Sequence, residues 1–140
     1  MPRYWIGVAE RDYVHAAVRH GLCLFSGGKE APIRKVSPGD GVIYYSPHEA
    51  RRGEPLECFT ALGTVGEGDA WKKEWDGIGF TSWVRSCDYA SVTETPVRPL
   101  LSRLGFVAEP RHWGRTFQRG QLEIGALDFQ EIAQRMCQNG

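Results

Sequence analysis

The sequence predicts an α+β domain in which five to six short strands form a curled, partly closed β-barrel with helices packed outside it. Short runs rich in aromatic and β-branched residues recur along the chain, which is typical of strands. Apolar residues at helical spacing occur between these runs and near the end of the sequence. No linker, repeat or low-complexity segment divides the 140 residues, so we expect residues 1–140 to form a single domain with a sizeable core.

The N-terminal part is expected to begin with a strand and a helix. Residues 3–9 (RYWIGVA) favour a strand through their aromatic and β-branched side chains. Apolar residues recur at helical spacing over residues 11–20, and Gly21 then provides a natural helix end. Glycines and prolines break regular structure in residues 22–40, which predicts a loop with one short helical turn near residues 31–36.

The middle of the chain predicts further strands. Residues 42–45 and 57–65 are expected to pair as a hairpin, joined by a polar, turn-rich loop over residues 48–55. Residues 69–80 indicate irregular structure because glycines interrupt them. Residues 81–92 alternate well enough to form another strand.

The C-terminal part predicts two helices with a strand between them. Prolines near the start and Gly105 near the end of residues 95–106 are typical of a short helix. Residues 109–125 indicate a loop followed by a last strand. The final helix is expected to begin at Asp128, whose carboxylate would cap it with Glu131 three residues later.

Charge and composition narrow the class of protein. Seventeen basic and seventeen acidic residues cancel, which weighs against strong sequence-independent binding to duplex phosphates. No run approaches the roughly 20 apolar residues that cross a bilayer, and the N-terminus lacks a secretory signal pattern, so we expect a cytoplasmic protein. Cys23, Cys58, Cys87 and Cys137 are scattered without metal-site spacing, and we expect reduced, mostly buried thiols.

The sequence lacks the common catalytic motifs. We find no phosphate-loop, dinucleotide, hydrolase, zinc-protease or zinc-deaminase pattern. Residues 26–29 (SGGK) look like a phosphate loop but lack its spacing and the hydroxyl residue after lysine. A nucleophilic pair of a cysteine and a histidine stays open, because such partners meet in space rather than in sequence. Because the common catalytic motifs are absent, we expect no metal, no cofactor and no catalysis.

Aromatic and basic residues are instead spread over several predicted loop edges. Aromatic rings stack on bases for roughly 1–3 kcal/mol each, and arginine or lysine can hold nearby phosphates, so a chain without net charge can still bind nucleic acid. Taken singly, most aromatic residues belong to cores. The set comprises Trp5, Lys29, Arg34, Tyr44, Tyr45, Trp83, His112, Trp113, Arg115, Phe117 and Arg119.

Several stretches, in order along nearly the whole chain, carry a family resemblance. They are residues 4–6 (YWI), 28–32 (GKEAP), 38–40 (PGD), 44–47 (YYSP), 59–63 (FTALG), 113–114 (WG), Phe117 and 123–124 (EI). Together they resemble the EVE domain of the PUA-like superfamily. The sequence is similar in particular to small bacterial and archaeal proteins that consist of an EVE domain alone.

The resemblance implies a fold and a function. The implied fold is a PUA-like barrel, related to the YTH and ASCH domains, with a concave aromatic pocket on one side. The implied function is non-catalytic reading of a modified base, such as a methylated or hydroxymethylated cytosine, presented single-stranded or flipped out of DNA or RNA. The chain contains no nuclease or helicase part, so a separate effector protein is a candidate partner.

Carried onto this sequence, the resemblance implies a base pocket and an approach to it. The pocket candidates are Trp5, Ser26, Lys29, Ala31, Pro32, Tyr44, Ser46, Pro47, Trp83, Trp113 and Phe117. The candidates for phosphate contact are Arg34, His112, Arg115 and Arg119. Because side chains alternate along a strand, we assign Tyr44, in register with Ser46, to the pocket and Tyr45 to packing under a helix or loop.

Two other functions stay open. An enzyme or small-ligand binder acting on a nucleotide or modified nucleoside would use the same pocket, and a cysteine or histidine hydrogen-bonded to the base would favour it. A protein-binding module would instead display its aromatic side chains as a flat exposed patch. The shape of the cavity near Tyr44 therefore discriminates between these functions.

Overall fold

The computed structural model describes residues 1–75 and 80–138 of the chain. Its helices are α1 (Arg11–His20), α2 (Glu30–Arg34) and α3 (Ala126–Cys137), with 3-10 helices at Arg98–Arg103 and Pro110–Gln118. Its strands are β1 (Tyr4–Val8), β2 (Leu22–Cys23), β3 (Gly41–His48), β4 (Pro55–Val65), β5 (Trp71–Trp75), β6 (Phe80–Tyr89), β7 (Thr95–Pro96) and β8 (Gln121–Ile124).

The strands form one mixed sheet that curls into a half-barrel. The order of the hydrogen-bonded strands is β2-β6-β4-β3-β1-β8, with β5 added beside β6 and β7 beside β4. Strand β1 runs parallel to β3 and antiparallel to β8, and β3 pairs with β4 as the predicted hairpin. The predicted α+β class and curled architecture are confirmed, but the described residues form eight strands rather than the predicted five to six, because the two-residue strands β2 and β7 arise by pairing with β6 and β4.

Alternation along the central strands divides the apolar residues between the two faces of this sheet. Neighbours in sequence go to opposite faces, so that Trp5 and Tyr44 lie on one side while Ile6 and Tyr45 lie on the other. We call the first side the α1 core, which comprises Trp5, Val14, Cys23, Phe25, Ile33, Val36, Val42, Tyr44, Ala61, Val65 and Cys87. We call the second the α3 core, which includes Ile6, Ile43, Tyr45, Phe59, Leu100, Phe117, Leu122, Phe129, Ile132 and Met136.

Helix α1 spans the predicted residues 11–20, and Gly21 ends it in the left-handed conformation at φ 65°. The backbone N–H of Gly21 donates to the carbonyls of Ala17 and Val18, which provides hydrogen-bond partners for carbonyl groups in the last turn of the helix. Val14 and Ala17 are buried, so the helix packs on the sheet through this apolar face.

Three local predictions need correction. Strand β5 lies within residues 69–80, which the sequence indicated as irregular, and it pairs with β6; residues 76–79 of that stretch lie outside the described residues. The loop predicted before the last strand contains the 3-10 helix at Pro110–Gln118. Helix α3 begins at Ala126 rather than Asp128, because the Asp128 carboxylate accepts hydrogen bonds from Gly105 N and Phe106 N at 2.9 and 3.0 Å instead of capping the helix.

Cys23, Cys58 and Cys87 are buried thiols and Cys137 is exposed, which agrees with the predicted mostly buried cysteines. Within residues 1–75 and 80–138, the helices are all too short or too polar to span a bilayer.

Candidate ligand pocket

A cavity of about 270 Å³ opens on the α1 side of the sheet. It lies where strand β1 ends, between helix α1 and the loop that follows β2. Its walls are formed by Val8, Ala9, Glu10, Tyr13, Val14, Ala17, Leu24, Ser26, Gly27 and Tyr44. Most of these side chains are apolar, so a ligand here would meet an apolar enclosure with few polar contacts.

Tyr44 provides the rigid aromatic wall of this cavity. Its side chain is 2% exposed, and its hydroxyl donates to Leu24 O at 2.8 Å while accepting from Leu24 N at 3.0 Å. The ring of Phe25 stacks against it at 6.1 Å between centroids. Burial raises the pKa of Tyr44 well above its usual value, so the phenol stays protonated and keeps donating.

Gly7 on β1 makes room for the Tyr44 ring. The two residues are partners in the parallel pairing of β1 with β3. A Cβ atom at Gly7 would lie 2.7 Å from Tyr44 Cε1 and 3.0 Å from Phe25 Cδ1. The absence of a side chain at residue 7 therefore lets the ring lie across the strand.

Residues 26–28 form one rim of the cavity in an unusual backbone conformation. Ser26, Gly27 and Gly28 all have positive φ, at 53°, 73° and 87°. A Cβ atom at Gly28 would lie 2.5 Å from Ser82, and one at Gly120 would meet Ser26 Oγ. The loop is thus held between β6 and the segment before β8, with Gly28 O accepting from Trp83 N at 2.8 Å.

The mouth of the cavity carries an exposed aromatic ring and an acidic side chain. Tyr13 is 57% exposed on the first turns of α1. Glu10 precedes α1, and its side chain is 28% exposed. Tyr13 is therefore an exposed aromatic ring at the mouth, whereas Tyr44 is a buried ring in the wall of the same cavity.

Trp5 lies in the α1 core but does not line the cavity. It is 3% exposed, and its Nε1 donates to Asp40 Oδ2 at 2.9 Å. The Arg3 guanidinium lies 4.6 Å from the centre of its ring. These contacts occupy both the polar edge and a face of the indole, so its place is structural.

The other predicted pocket residues of this side also lie outside the cavity. Trp83 is half-buried with the Arg34 guanidinium 5.0 Å from its ring centre. Ser46 is buried and hydrogen-bonds Thr60 at 2.8 Å between hydroxyls. Lys29 and Ala31 are exposed, and Pro32 and Pro47 are half-buried. Of the predicted base-pocket residues, Ser26 and Tyr44 line the cavity.

Trp113 and Phe117 lie on the opposite face of the sheet, in and against the α3 core. The Tyr45 ring stacks on Phe117 with centroids 4.4 Å apart, and Trp113 meets Tyr45 edge-on at 6.2 Å. Arg98 lies over Trp113 at 5.2 Å. The sheet separates these rings from Tyr44, so the expected single pocket of all the aromatic residues does not form. Tyr45 packs under the 3-10 helix at Pro110–Gln118, which covers this face of strand β3.

The candidates for phosphate contact are exposed but unevenly placed. Arg34 pairs with Glu30 at 2.6 Å, whereas the ion pairs found among the described residues include neither Arg115 nor Arg119. His112 and Arg115 belong to the 3-10 helix on the far side. Arg119 precedes Gly120, which packs against Ser26 at the cavity rim. Arg119 and Lys29 are therefore close in sequence to residues at the cavity rim.

Several cavity residues were not predicted from the sequence. Glu10 and Tyr13 are the polar and aromatic ones among them. Sequence features could have indicated both residues. Glu10 follows a predicted strand, and loops at strand ends often carry functional residues. Tyr13 is an aromatic residue on the polar face of α1.

The curled half-barrel is a fold that is also found in solved structures. A hypothetical protein from Leishmania major superimposes with a TM-score of 0.58 at 15% identity, covering 96% of this chain and 94% of that one. A protein from Agrobacterium tumefaciens does so with a TM-score of 0.54 at 12% identity, over 94% and 91% of the two chains. At these identities the similarity is one of fold.

The family model of the EVE domain matches residues 3–135, and the chain belongs to the EVE domain family. A UPF0310 protein from Mesorhizobium japonicum is 40% identical over 97% of this chain and 93% of its own. The UPF0310 protein YdcG of Bacillus subtilis is 36% identical, again over 97% and 93%. The family predicted from the sequence is thus confirmed.

Proposed function

We propose that the protein is a non-catalytic nucleic-acid-binding module that reads one modified base in the cavity beside Tyr44. The base is taken from a single strand or flipped out of a duplex, and the modification is a small group such as methyl or hydroxymethyl. The observation that carries the proposal is a small, mostly apolar cavity with a fixed aromatic ring in its wall and an exposed one at its mouth.

The size of the cavity favours a single base over a larger ligand. Pockets for drug-sized molecules span roughly 300–1,000 Å³. The cavity here is smaller, at about 270 Å³. A base would fit inside it while its sugar and phosphates stay outside; Lys29 and Arg119, which are close in sequence to the rim, are exposed.

The energy gained by binding a base is comparable to the energy needed to extrude it. Extrusion of a base from a duplex costs a few kcal/mol, and less from a single strand. Stacking on an exposed aromatic ring returns roughly 1–3 kcal/mol, so Tyr13 can offset part of the extrusion and contact with the apolar walls adds to it. Because the chain has no net charge, we expect modest, salt-sensitive affinity that depends on the base.

The apolar walls account for recognition of a methyl group. A buried CH₂ contributes about 0.8 kcal/mol, which corresponds to severalfold discrimination. Leu24, Val14 and Ala17 supply the apolar surface. A polar contact to the edge of the base would add the remaining selectivity.

The composition of the walls supports binding rather than catalysis. Within the described part of the chain, the residues that line the cavity include no cysteine and no histidine. The cavity is also a recess and not a flat patch, which favours a ligand over a protein partner.

The proposal is tested by fluorescence polarisation with short single strands of DNA and RNA carrying cytosine, 5-methylcytosine or 5-hydroxymethylcytosine. We expect one modified base to bind severalfold more tightly than its parent. Tyr13→Ala should weaken binding by roughly tenfold or more, because it removes a stacking surface. Ala17→Leu should block the cavity from the helix side.

Trp71→Ala is the matched control, since Trp71 is an exposed aromatic residue on β5 that does not line the cavity. It should bind like the wild type. Equal affinity for modified and unmodified strands, together with unchanged binding by Tyr13→Ala and Ala17→Leu, would contradict the proposal.

A further inference from the structure

Resting on the proposed function, we infer that residues 98–119, here called the basic segment, form a second contact surface that binds phosphates of the nucleic acid beside the base being read. Its arginines would supply affinity that does not depend on sequence, whereas the cavity beside Tyr44 supplies the preference for one base. The two contributions can therefore be measured separately.

The positive charge of the chain is concentrated in this segment. Residues 98–119 contain five arginines and one acidic residue, whereas the rest of the chain contains twelve basic and sixteen acidic residues. A chain without net charge thus consists of one basic segment and an acidic remainder. A local cluster of this kind is the electrostatic pattern expected of a surface that binds phosphates.

The fold displays the charge of the basic segment towards solvent. The segment forms the 3-10 helices at Arg98–Arg103 and Pro110–Gln118, which pack on the α3 core through the buried side chains of Leu100 and Phe117. Its five arginines are all exposed, namely Arg98, Arg103, Arg111, Arg115 and Arg119. The segment is therefore anchored by its apolar residues, and its guanidinium groups are accessible to a partner.

The carboxylates near the basic segment compensate only part of its charge. Three ion pairs with distances of 2.9 to 3.7 Å join Arg98 to Glu57, Arg103 to Glu131 and Arg111 to Glu109. Pairs between exposed side chains contribute little to stability. The ion pairs of residues 1–75 and 80–138 include neither Arg115 nor Arg119, so these two arginines carry charge that a phosphate can neutralise.

The C-terminal end of the basic segment adjoins the cavity. Gly120 follows Arg119, and its carbonyl accepts from Val8 N at 3.0 Å. A Cβ atom at Gly120 would lie 3.0 Å from Ser26 Cα, so the two backbones are in contact. Val8 and Ser26 both line the cavity. A strand whose base enters the cavity can therefore place neighbouring phosphates along the basic segment.

The type of cation in the basic segment suits phosphate. All of its basic residues other than His112 are arginines, and it contains no lysine. The guanidinium group is a planar fork of N–H donors that binds phosphate oxygens through two parallel hydrogen bonds, and it stays charged throughout the physiological pH range.

The test measures binding of the full chain to short single strands carrying cytosine, 5-methylcytosine or 5-hydroxymethylcytosine, by fluorescence polarisation at several salt concentrations. The double variant Arg115→Gln, Arg119→Gln should bind all three strands more weakly at low salt. Its slope of log affinity against log salt should be about 1.4 smaller in magnitude, because each phosphate contact to a single strand contributes about 0.7. The ratio of affinities between the strands should not change, because phosphate contacts carry no sequence information.

The double variant Arg19→Gln, Lys72→Gln is the matched control. It removes the same two charges from exposed side chains on α1 and β5, which lie outside both the basic segment and the cavity walls. It should keep the wild-type slope. Circular dichroism melting should show that both variants fold like the wild type, because all four substitutions are at exposed residues.

The outcomes separate this inference from the function on which it rests. A wild-type slope in the Arg115→Gln, Arg119→Gln variant, or an equal loss of slope in the control, overturns the role of the basic segment and leaves base reading intact. Equal affinity for the three strands overturns base reading, while the slopes still decide whether the arginines bind phosphates. Failure of the wild type to bind any of the strands overturns both.

Discussion

Tyr44 and Tyr45 are adjacent in β3 and equally buried, yet their surroundings differ in kind. Tyr45 is packed by large rings, with Phe117 stacked on it at 4.4 Å and Phe59 at 5.8 Å. Tyr44 has Phe25 on one side and small residues nearby, namely Gly7, Ala17 and Gly27. A cavity therefore arises where small residues surround a fixed ring, whereas the same residue type among large neighbours builds a core.

The largest effect on stability should come from removing a ring of the α3 core. Phe117→Ala removes a ring that contacts Tyr45, Phe59 and Phe106, and we expect it to lower the free energy of unfolding by about 3–5 kcal/mol. Urea denaturation would measure it. Remaining folded protein should bind cavity ligands normally, and a loss of binding without a loss of stability would contradict the division between the two faces.

A smaller effect on stability should come from adding a side chain beside Tyr44 in the α1 core. In Gly7→Ala the new Cβ would lie 2.7 Å from Tyr44 Cε1, and the ring cannot yield freely because Leu24 holds its hydroxyl. We expect a loss of about 1–3 kcal/mol in stability and weaker ligand binding. Thermal melts and binding assays would show both. Gly114→Ala, which meets open space, is the control and should change neither.

Ionisation of Tyr44 should contribute to the pH dependence of stability, as should that of Tyr45 and Tyr89, whose pKa values burial also raises. Burial raises the pKa of Tyr44 above the ordinary 10.0, so the folded state holds this proton more tightly than the unfolded chain does. The resulting stabilisation is complete below pH about 10 and is lost as the pH rises above it, by up to about 1.4 kcal/mol per pH unit.

Urea midpoints at several alkaline pH values would measure this loss. Tyr44→Phe cannot ionise and should show a shallower decline, after a lower starting stability from the unpaired Leu24 backbone groups. An identical decline in the variant would mean that other groups determine the alkaline limit.

The smallest effect on stability should be at Tyr13. It is 57% exposed, so Tyr13→Ala should change the free energy of unfolding by no more than about 0.5 kcal/mol. The same substitution is expected to weaken ligand binding, which would mark this ring as functional rather than structural. A melt and a binding isotherm on one preparation would settle the contrast.

Local patterns predicted the parts of the fold that local forces determine. Helix α1 has its predicted bounds because its apolar spacing and Gly21 act within one segment. Strand β5 escaped notice since its sequence, WKKEW, is mostly charged, and its strand character comes from pairing with β6. Asp128 looked like a helix cap but bonds Gly105 and Phe106, which a reading of the local sequence cannot foresee.

The candidate site was predictable only in part, for a similar reason. Ser26 and Tyr44 lie in stretches that carried the family resemblance, and both line the cavity. Glu10 and Tyr13 reach it because α1 docks across the end of β1, a tertiary event. Trp113 and Phe117 were grouped with the pocket because aromatic residues serve cores and pockets equally well in a sequence.

The loop at residues 26–28 has a consequence for the kinetics of recognition. Its left-handed backbone is held by contacts with Ser82 and Gly120 within the protein itself. A rim that is already ordered spares an incoming molecule the entropy of ordering it. For the proposed nucleic-acid ligand, the association rate should therefore depend on how often a base becomes unstacked and accessible in the strand.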